Sequence, residues 1–558
     1  MKKTILCASI LAGLCAGANA QNPVLVKDID TTRNSSSSPN NLVSFNNRLY
    51  FVADGKRWNG FGMVANRELW SSNGSAEGTK MVVDLNKTAN DNSGSYPVGL
   101  KAWKDKLYFF AIGTDGKQNL YETDGSEAGT KQVTTSGLSV MVPYGRRTEV
   151  FTEFNNALYF MADDFVNGIE LWKTDGTAAG TVMVKEINPA KGMFDSKSEI
   201  SQLTVMGSNL YFFGNETSDE DSLQLWKTDG TTAGTHRIVS YKTGNSETVN
   251  SLTAASAHVY YTVNRSIYKS DGTTAGTSLF LADCEPYHLT SFKGEMLFQT
   301  TTTNPAMSHI CITSNEARGY TVLKDVDPGV ITLSISSTYY YPMNVVEDKL
   351  YFNMSVVGPS SELWQTDGTI TGTTLIKTYT QADGNLSNQQ FVKHNGEVYF
   401  KTKLNSDYFL NKTDGTSSGT VKLSTVGVEE IENLTSVDKV LFFTSEDDQP
   451  GQIGKELWKF GTDTTSGGGT TGLFESKADD HSVLIYPNPA HNVVNIAVNA
   501  SIQVLSASLF DITGKQVEEL VMGSNNISHT ITHLEQGHYF YSIKTTQGVV
   551  IKKLIISK

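Results

Sequence analysis

This 558-residue chain is poor in cysteine and histidine and has no long apolar run beyond its first twenty residues. It contains four cysteines and ten histidines, without HxH or HExxH spacing. That scarcity predicts no metal site and no metal cofactor. Because no later segment reaches membrane-spanning length, we also expect no transmembrane segment in the rest of the chain.

Basic residues and nucleotide or nucleophile motifs are scarce as well. Removing Lys2 and Lys3 with a leader reduces the 45 Lys and Arg residues to 43, against 58 Asp and Glu, a formal charge of −15. This balance argues against nucleic acid or an anionic membrane as a partner. No GxSxG, Walker or GxGxxG segment stands between a strand and a helix, so we assign no catalytic residue and no organic cofactor.

Residues 1–20 have the three parts of a secretory signal peptide. Lys2 and Lys3 precede an apolar stretch, and Ala20 ends a small-residue cleavage site. Cys15 follows Leu14, whereas a lipoprotein signal has a small residue there, so cleavage after Ala20 is favoured.

Cys284 and Cys311 are the two cysteines that remain after the leader is removed. Both fall within one repeat unit, and export permits a disulfide between them. Two buried free thiols are the alternative. We expect the disulfide, although sequence spacing says nothing about bond geometry.

A repeated segment, ELWxTDGTxxGT, dominates the chain, with its cleanest copy at Glu170–Thr181. Close copies centre on Trp70, Tyr121, Trp226, Tyr268, Trp364 and Trp458, and worn copies lie near Ile312 and Leu410. Nine Leu-Tyr-Phe-like strands accompany the segment at a mean spacing of about 49 residues, which is close to the length of kelch-type propeller blades.

These periodic strands predict an all-β fold, a large β-propeller over residues 21–460. Nine units predict nine blades, and eight is the alternative because the unit around Met296 is short and its turn is worn. The last unit lacks its outer strand, and Val24–Asp28 is available to supply one and close the ring.

The residue types in the repeat indicate scaffold rather than chemistry. Leu171 and Trp172 should face opposite neighbouring blades, because adjacent strand residues point to opposite sides. Asp175 and Gly176 suit an Asx-type turn better than a calcium loop, since each loop offers one carboxylate. The recurring Glu of ELW (Glu68, Glu170, Glu362 and Glu456) should pair with lysine or backbone near the strand start.

A ligand site should therefore lie where the repeat breaks. Aromatic side chains outside the repeated positions are the best candidates, because loops on rigid scaffolds carry recognition. The residues that we single out are Trp58, Trp103, Tyr144, Tyr339 and Tyr340.

Beyond the propeller, residues 461–478 have the Gly, Ser and Thr composition of a flexible linker. Residues 479–558 read as a second, small all-β domain. Its strands include Val493–Val498, Ala507–Phe510 and Tyr539–Lys544, and about seven short strands in this length indicate a small β-sandwich.

The ELWxTDGTxxGT copies resemble the ELWxxDGTxxGT repeat of large bacterial secreted and surface proteins. The C-terminal segment resembles the type A sorting domain of the Bacteroidetes type IX secretion system. The residues that carry this second resemblance are Tyr486, Pro487, Asn488, Pro489, Gly514, Gly537, Tyr539, Lys552, Lys553 and Lys558.

The second resemblance implies Sec export, passage across the outer membrane with the type IX machinery as partner, and attachment to a surface lipopolysaccharide. Together with the absence of a catalytic motif, it leads us to expect a secreted or cell-surface binding or adhesion protein for a peptide, glycan or protein ligand. The alternatives are an extracellular enzyme acting on polysaccharide at the propeller mouth and a structural surface-layer component.

Overall fold

The computed structural model divides the chain into two compact units, Met1–Thr462 and Asp463–Lys558. It describes residues 22–30, 35–58, 63–87, 94–134, 137–140, 150–189, 198, 200–216, 222–242, 251–303, 306–314, 319–326, 344–355, 360–386, 390–424, 427–446, 454–460, 483–498, 504–511, 516–520, 526–545 and 548–557.

In the first unit, the described residues form nine antiparallel sheets, each of which is one propeller blade. The strand that closes the ring is β1 (Val24–Lys27). Blade 1 contains β2 (Asn40–Phe45), β3 (Arg48–Trp58), β4 (Met63–Ser72) and β5 (Lys80–Val83). Blade 2 contains β6 (Val98–Trp103), β7 (Lys106–Ile112), β8 (Gln118–Thr123) and β9 (Lys131–Gln132). Blade 3 contains β10 (Ser139–Val140), β11 (Thr152–Phe154), β12 (Ala157–Asp163), β13 (Ile169–Thr174) and β14 (Val182–Lys185).

The middle blades repeat the same four-strand order. Blade 4 contains β15 (Ser201–Met206), β16 (Asn209–Phe213), β17 (Ser222–Thr228) and β18 (His236–Lys242). Blade 5 contains β19 (Leu252–Ala255), β20 (His258–Val263), β21 (Ser266–Ser270) and β22 (Ser278–Leu281). Blade 6 contains β23 (Tyr287–Phe292), β24 (Glu295–Thr303), β25 (Ala306–Thr313) and β26 (Tyr320–Val326).

The last three blades complete the ring. Blade 7 contains β27 (Asn344–Val346), β28 (Lys349–Ser355), β29 (Ser361–Thr366) and β30 (Thr374–Tyr379). Blade 8 contains β31 (Val392–His394), β32 (Glu397–Leu404), β33 (Asp407–Thr413) and β34 (Val421–Lys422). Blade 9 contains β35 (Glu432–Val437), β36 (Val440–Ser445) and β37 (Glu456–Phe460), with β1 as its fourth strand.

The N-terminal strand closes the ring as predicted. Strand β1 pairs antiparallel with β37, placing Leu25 opposite Trp458. The chain then crosses to blade 1, where the backbone N–H of Ser38 donates to the carbonyl of Lys455 at 3.0 Å. Pairing the first strand with the last removes an open position between the ends of the ring.

The core consists of nine apolar clusters, each built from two consecutive blades. Leu171 packs against Leu210 of blade 4. Trp172, the next residue, packs on the cluster that contains Phe110 of blade 2. The prediction that Leu and Trp of the repeat face opposite neighbours is therefore confirmed, and it explains why both positions are apolar.

The second unit contains two sheets. One joins β38 (Val483–Tyr486), β39 (Val493–Val498) and β42 (Asn526–Thr530), and the other joins β40 (Val504–Asp511), β41 (Gln516–Leu520), β43 (Gly537–Thr545) and β44 (Gly548–Ile556). Their apolar faces form a single core cluster, as expected for a small sandwich. A polar link also joins the sheets, because His529 on β42 contacts the Tyr541 hydroxyl at 2.6 Å.

Candidate functional site

Strand direction divides the loops of the propeller between two faces. Because neighbouring strands of a blade are antiparallel, second-to-third-strand turns lie at the same end as the connections between blades. We call this end the connection face. First-to-second and third-to-fourth-strand turns, which include TDGTxxGT, lie at the opposite end, which we call the turn face.

The TDGTxxGT turn is a self-contained hydrogen-bonded unit. The Asp175 carboxylate accepts from the Thr177 backbone N–H at 2.9 Å and from the Thr177 hydroxyl at 2.7 Å. These bonds hold the pKa of Asp175 below its usual range. The Thr174 and Thr181 hydroxyls are 2.7 Å apart across the turn. The interpretation as an Asx-type turn is confirmed, and the side chains of Thr174, Asp175, Thr177 and Thr181 are engaged in hydrogen bonds within the turn.

The glycine of this turn accommodates the preceding blade. Gly176 has a φ of +97°, and a Cβ atom added there would lie 2.5 Å from the Tyr108 hydroxyl. Tyr108 belongs to a Leu-Tyr-Phe strand of blade 2, and burial, together with nearby Glu122, raises its pKa to about 12. The turn glycine of one blade therefore lies directly against the tyrosine of the Leu-Tyr-Phe strand in the preceding blade.

The glutamate of ELW fastens the connection to the next blade. Glu68 accepts from the backbone N–H and the hydroxyl of Ser95, and the N–H bond is 2.8 Å long. Glu456 accepts in the same way from Ser37, at 2.9 and 2.5 Å. Glu170 accepts from the N–H of Asn188 at 3.0 Å. The predicted backbone pairing is thus confirmed in blades 1, 3 and 9.

These three carboxyl groups have no exposed surface. Burial raises the pKa of Glu68, Glu170 and Glu456 to about 7, although the hydrogen bonds that they accept lower it. In blade 7 the equivalent Glu362 instead accepts from the indole N–H of Trp364 at 2.9 Å. A repeated, enclosed carboxylate of this kind has no route to a substrate, so we assign it to the scaffold.

The predicted ligand-binding aromatics do not form a described site. Trp103 has 4% of its surface exposed and packs between blades 2 and 3, so the prediction that it is available to a ligand is wrong. Its ring meets Tyr108 edge to face because position 103 ends an inner strand next to the Leu-Tyr-Phe strand. Trp58 ends β3 opposite Met63. Tyr144, Tyr339 and Tyr340 lie outside the described residues.

The predicted disulfide is also wrong. Cys284 and Cys311 are both buried thiols in the core between blades 5 and 6. The Cys284 sulfur lies 3.7 Å from the Leu281 carbonyl, and burial raises the pKa of this thiol to about 11. Cys311 lies opposite Phe298 and takes the position that tryptophan holds in other blades. Each thiol therefore serves as a small apolar group in the core.

A charged group on the connection face was not identified from the sequence. The Lys455 ammonium, near the start of β37, lies 2.8 Å from the Glu430 carboxylate and 2.5 Å from the Glu432 carboxylate. Lys401 of blade 8 is 8% exposed and donates to the Ile431 carbonyl at 2.7 Å. We call these four charged residues the blade 8–9 cluster.

The electrostatics of the two carboxyl groups differ. Burial and a hydrogen bond shared with Glu432 raise the pKa of Glu430. Burial would also raise the pKa of Glu432, but bonds from Lys455 and Glu430 outweigh it and lower that pKa. Burial lowers the pKa of Lys401. Two neighbouring carboxyl groups whose pKa values are shifted in opposite directions suit proton transfer or an ion-pair network.

A second feature of the connection face is the turn after β12. Phe165 and Val166 are the most exposed large apolar residues among those described, with 72% and 77% of their surface accessible. Strand β10 lies beside this turn, because Ser139 pairs with Asp163. The only sequence signal for both features is that they depart from the repeat.

Among the described residues, no group of three or more His, Cys, Asp or Glu side chains is placed to hold a metal ion. The same part of the chain contains no helix long and apolar enough to cross a membrane.

In the C-terminal unit, the predicted sorting-motif residues lie close together. The Asn488 side-chain oxygen accepts from the Ile555 N–H at 2.8 Å, and Ala490 donates to the Ile555 carbonyl at 2.8 Å. The Tyr539 hydroxyl donates to the Glu535 carbonyl at 3.1 Å. The Tyr-Pro-Asn-Pro segment is thus fastened to β44, which contains Lys552 and Lys553. Gly514 and Lys558 lie outside the described residues.

Comparison with solved structures finds distant matches. A puromycin hydrolase is 10% identical and has a TM-score of 0.36, with 78% of this chain and 62% of that chain covered. An oligogalacturonate lyase in complex with manganese is 11% identical at a TM-score of 0.34, with 74% and 96% covered. The corresponding lyase of Vibrio parahaemolyticus is 10% identical at a TM-score of 0.33, with 76% and 98% covered. This chain thus spans less than two thirds of the puromycin hydrolase.

No curated protein matches this chain. One family model does match, and it covers the C-terminal unit alone. Residues 484–557 match the secretion system C-terminal sorting domain, so the propeller is followed by a sorting domain of the type IX secretion system.

Proposed function

We propose that this protein is a secreted or cell-surface binding protein whose propeller recognises a peptide, glycan or protein ligand at the connection face. One observation carries the proposal: the residues of the repeated turns are engaged in scaffold contacts, whereas an exposed apolar turn and a charged cluster that depart from the repeat lie at this face. Phe165 and the blade 8–9 cluster are the described examples. A rigid scaffold with one variable face suits recognition.

The sorting domain supports this proposal from the other end of the chain. A type IX sorting domain directs a protein across the outer membrane, where ligands outside the cell are accessible. A formal charge of −15 after loss of the leader suits a soluble extracellular surface and disfavours nucleic acid.

The test is to block one face at a time. Thr114 and Ser406 are exposed in turns of the connection face, and Ala128 and Ala179 are exposed in turns of the turn face. Each is changed singly to cysteine and coupled to a 5-kDa polyethylene glycol maleimide, while the buried Cys284 and Cys311 stay unreacted. The full chain is then applied to arrays of defined oligosaccharides and of immobilised peptides.

We expect the unmodified chain to bind a subset of the arrayed probes, and polymer at Thr114 or Ser406 to reduce that binding at least tenfold. Polymer at Ala128 or Ala179 should leave it within twofold. Equal loss of binding when polymer is attached to either face would count against recognition at the connection face.

The blade 8–9 cluster supports a second candidate, an extracellular enzyme acting on polysaccharide. The pKa of Glu430 is raised and that of the neighbouring Glu432 is lowered, and the two carboxyl groups share one lysine, Lys455. Paired groups with separated pKa values are suited to general acid and base catalysis.

A panel of polysaccharides incubated with the full chain tests this candidate, with polymer length followed by size-exclusion chromatography. If the cluster is catalytic, Glu430→Gln should slow shortening of the substrate about 100-fold or more. Asp115→Asn, on an exposed turn of the same face, is the matched control. A panel left intact by the wild-type chain would remove this candidate.

A further inference from the structure

The turn between β12 and β13 holds two apolar side chains out in solvent. Phe165 and Val166 are 72% and 77% exposed, more than any other large apolar residue among those described. Exposed single apolar residues are common, but two adjacent ones at the tip of a turn form a compact projecting surface. We call them the Phe165 tip.

The tip is rigidly built. The Phe165 N–H donates to the Asp163 carboxylate at 2.7 Å, and the Val166 and Asn167 N–H groups donate to the Asp164 carboxylate at 3.0 and 2.7 Å. The Asn167 side chain donates to the same carboxylate at 2.7 Å. Phe165 has a φ of +63°, which is unfavourable for a bulky residue and is held by these bonds. Two aspartates thus fix the orientation of the tip.

The equivalent turns of blades 2, 5 and 8 are polar. Blade 5 has Asn264 and Arg265 at this place, blade 8 has Asn405 and Ser406, and blade 2 has the segment from Gly113 to Lys117. Scaffold requirements at this turn are therefore met without apolar side chains. The exposure of Phe165 and Val166 needs an explanation outside the fold of the blade.

We propose that the Phe165 tip is the anchor by which this propeller docks into an apolar pocket, bordered by basic side chains, on a protein partner. A projecting aromatic residue that fills a pocket and loses contact with water is the usual centre of a binding hot spot. Its fixed backbone lowers the entropy lost on binding. The inference rests on the proposed binding function and names the class of its ligand.

Charge decides between the occupants of this surface. Asp163 and Asp164 lie directly beside the tip, and bonds from Asn167 and Val166 outweigh burial and hold the pKa of Asp164 below its usual range. A charged carboxylate there disfavours an anionic lipid surface. In a symmetric contact, a second copy of the chain would place its own Asp163 and Asp164 against those of the first, and like charges disfavour that contact. A protein pocket with a basic border complements both the apolar tip and its carboxylates.

The experiment replaces Phe165 by the photoreactive residue p-benzoylphenylalanine in the full chain. The probe is irradiated with proteins released from the surface of the exporting cell, in 50 mM and 500 mM NaCl. The matched control carries the same residue at Arg265, in the equivalent turn of blade 5. Competition uses excess unlabelled wild-type chain or the chain with Phe165→Ser and Val166→Ser, whose thermal melt should equal that of the wild type.

We expect one discrete protein adduct from position 165. Its yield should be at least tenfold higher than the yield from position 265, and it should fall in 500 mM NaCl. Wild-type competitor should abolish it, whereas the doubly substituted competitor should not. Equal adducts from both positions, adducts insensitive to competitor, or adducts only to lipid, to this chain itself or to a second copy would overturn the proposal. Array binding that persists in the doubly substituted chain, together with no discrete adduct from position 165, would leave the proposed function standing while this inference falls.

Discussion

At the scale of single residues, the glutamate of the repeat has an unusual environment. Glu68, Glu170 and Glu456 are enclosed where a connection leaves one blade for the next. Each accepts hydrogen bonds from backbone N–H or hydroxyl groups that would otherwise lack an acceptor inside the protein. The carboxyl group thus organises a long connection, but its burial disfavours the ionised form.

This balance predicts a pH-dependent stability. The unfolded glutamate has a pKa near 4.5, and the folded value is about 7, so the native state binds more protons between these values. The stabilisation of the native state by this extra proton binding is fully present below pH 4.5 and is lost as pH rises through 7. Relative to pH 4.5, each of the three glutamates should lower the free energy of unfolding by on the order of 3 kcal/mol once the pH is above 7. Urea denaturation between pH 4.5 and 8 measures the slope.

The matched variant replaces all three glutamates by glutamine. Burial lowers the pKa of His394, which has the opposite dependence on pH, so the difference between the wild type and the variant is the relevant quantity. We expect this difference to change in favour of the variant by several kcal/mol from pH 4.5 to 8. Parallel pH profiles for the two proteins would contradict the assignment.

Gly176→Ala tests the fit between the turn and the preceding blade. The substitution places Cβ at a φ of +97° and 2.5 Å from the Tyr108 hydroxyl, so we expect a loss of about 2–3 kcal/mol. Gly207→Ala has a φ of +58° with no atom within 4 Å, and it should cost only about 1 kcal/mol. Adding Tyr108→Phe to Gly176→Ala should recover part of the lost stability, because it removes the hydroxyl that the new Cβ would meet. Thermal melts measure these differences, and equal losses for Gly176→Ala and Gly207→Ala would refute the steric contribution.

At the scale of the strand, β1 has an effect out of proportion to its four residues. It completes blade 9, and Val26 enters the core shared by blades 9 and 1. Deleting Val24–Lys27 should therefore lower the melting temperature of the propeller by about 10 °C or more, because it exposes the edge of β37 and opens that core. Differential scanning calorimetry gives the measurement.

The control is Val24→Thr, a change at a half-buried position of the same strand whose pairing with Lys459 is through the backbone. It should melt within about 2 °C of the wild type, since it keeps the strand and its buried Val26. If the deletion melted like this control, ring closure by β1 would not contribute to stability.

What sequence could predict at this scale follows from repetition. Leu171, Trp172, Asp175 and Gly176 recur with fixed spacing, so their shared physical role is readable without coordinates. Trp103 occurs once, and an isolated aromatic residue has the same appearance in a core and in a binding loop; only the packing between blades 2 and 3 distinguishes them.

The candidate site was beyond sequence reasoning for a related cause. Lys401 belongs to blade 8, whereas Glu432 and Lys455 belong to blade 9, so the charge of Lys401 acts on Glu432 only because the two blades are adjacent. Phe165 and Val166 resemble ordinary strand residues in the sequence, yet they occupy a turn held by Asp163 and Asp164. Long-range adjacency and side-chain direction are set by the fold.

At the scale of the whole molecule, the number of blades is decided by the worn unit. Its turn is eroded in sequence, which left eight blades as an alternative. Blade 6 nevertheless forms a full four-stranded sheet, because Ile310 and Cys311 fill the positions of Leu and Trp toward blades 7 and 5. Nine sheets and nine shared clusters among the described residues correspond to a nine-bladed ring.

The division into two units predicts that folding and sorting are separable. The propeller clusters contain no residue after Phe460, and the sandwich has its own core. A chain ending at Gly468 should therefore show the same propeller melt as the full chain. It retains residues 1–20, the predicted signal peptide, but lacks residues 484–557. We therefore expect cleavage after Ala20 and accumulation in the periplasm, whereas the full chain should reach the surface or medium. Cell fractionation and protease accessibility of intact cells measure this difference.

The melt shows whether the truncated propeller is folded. Periplasmic retention of a folded ring would therefore be attributed to the missing sorting domain. Surface display of the truncated chain would show that export does not depend on that domain.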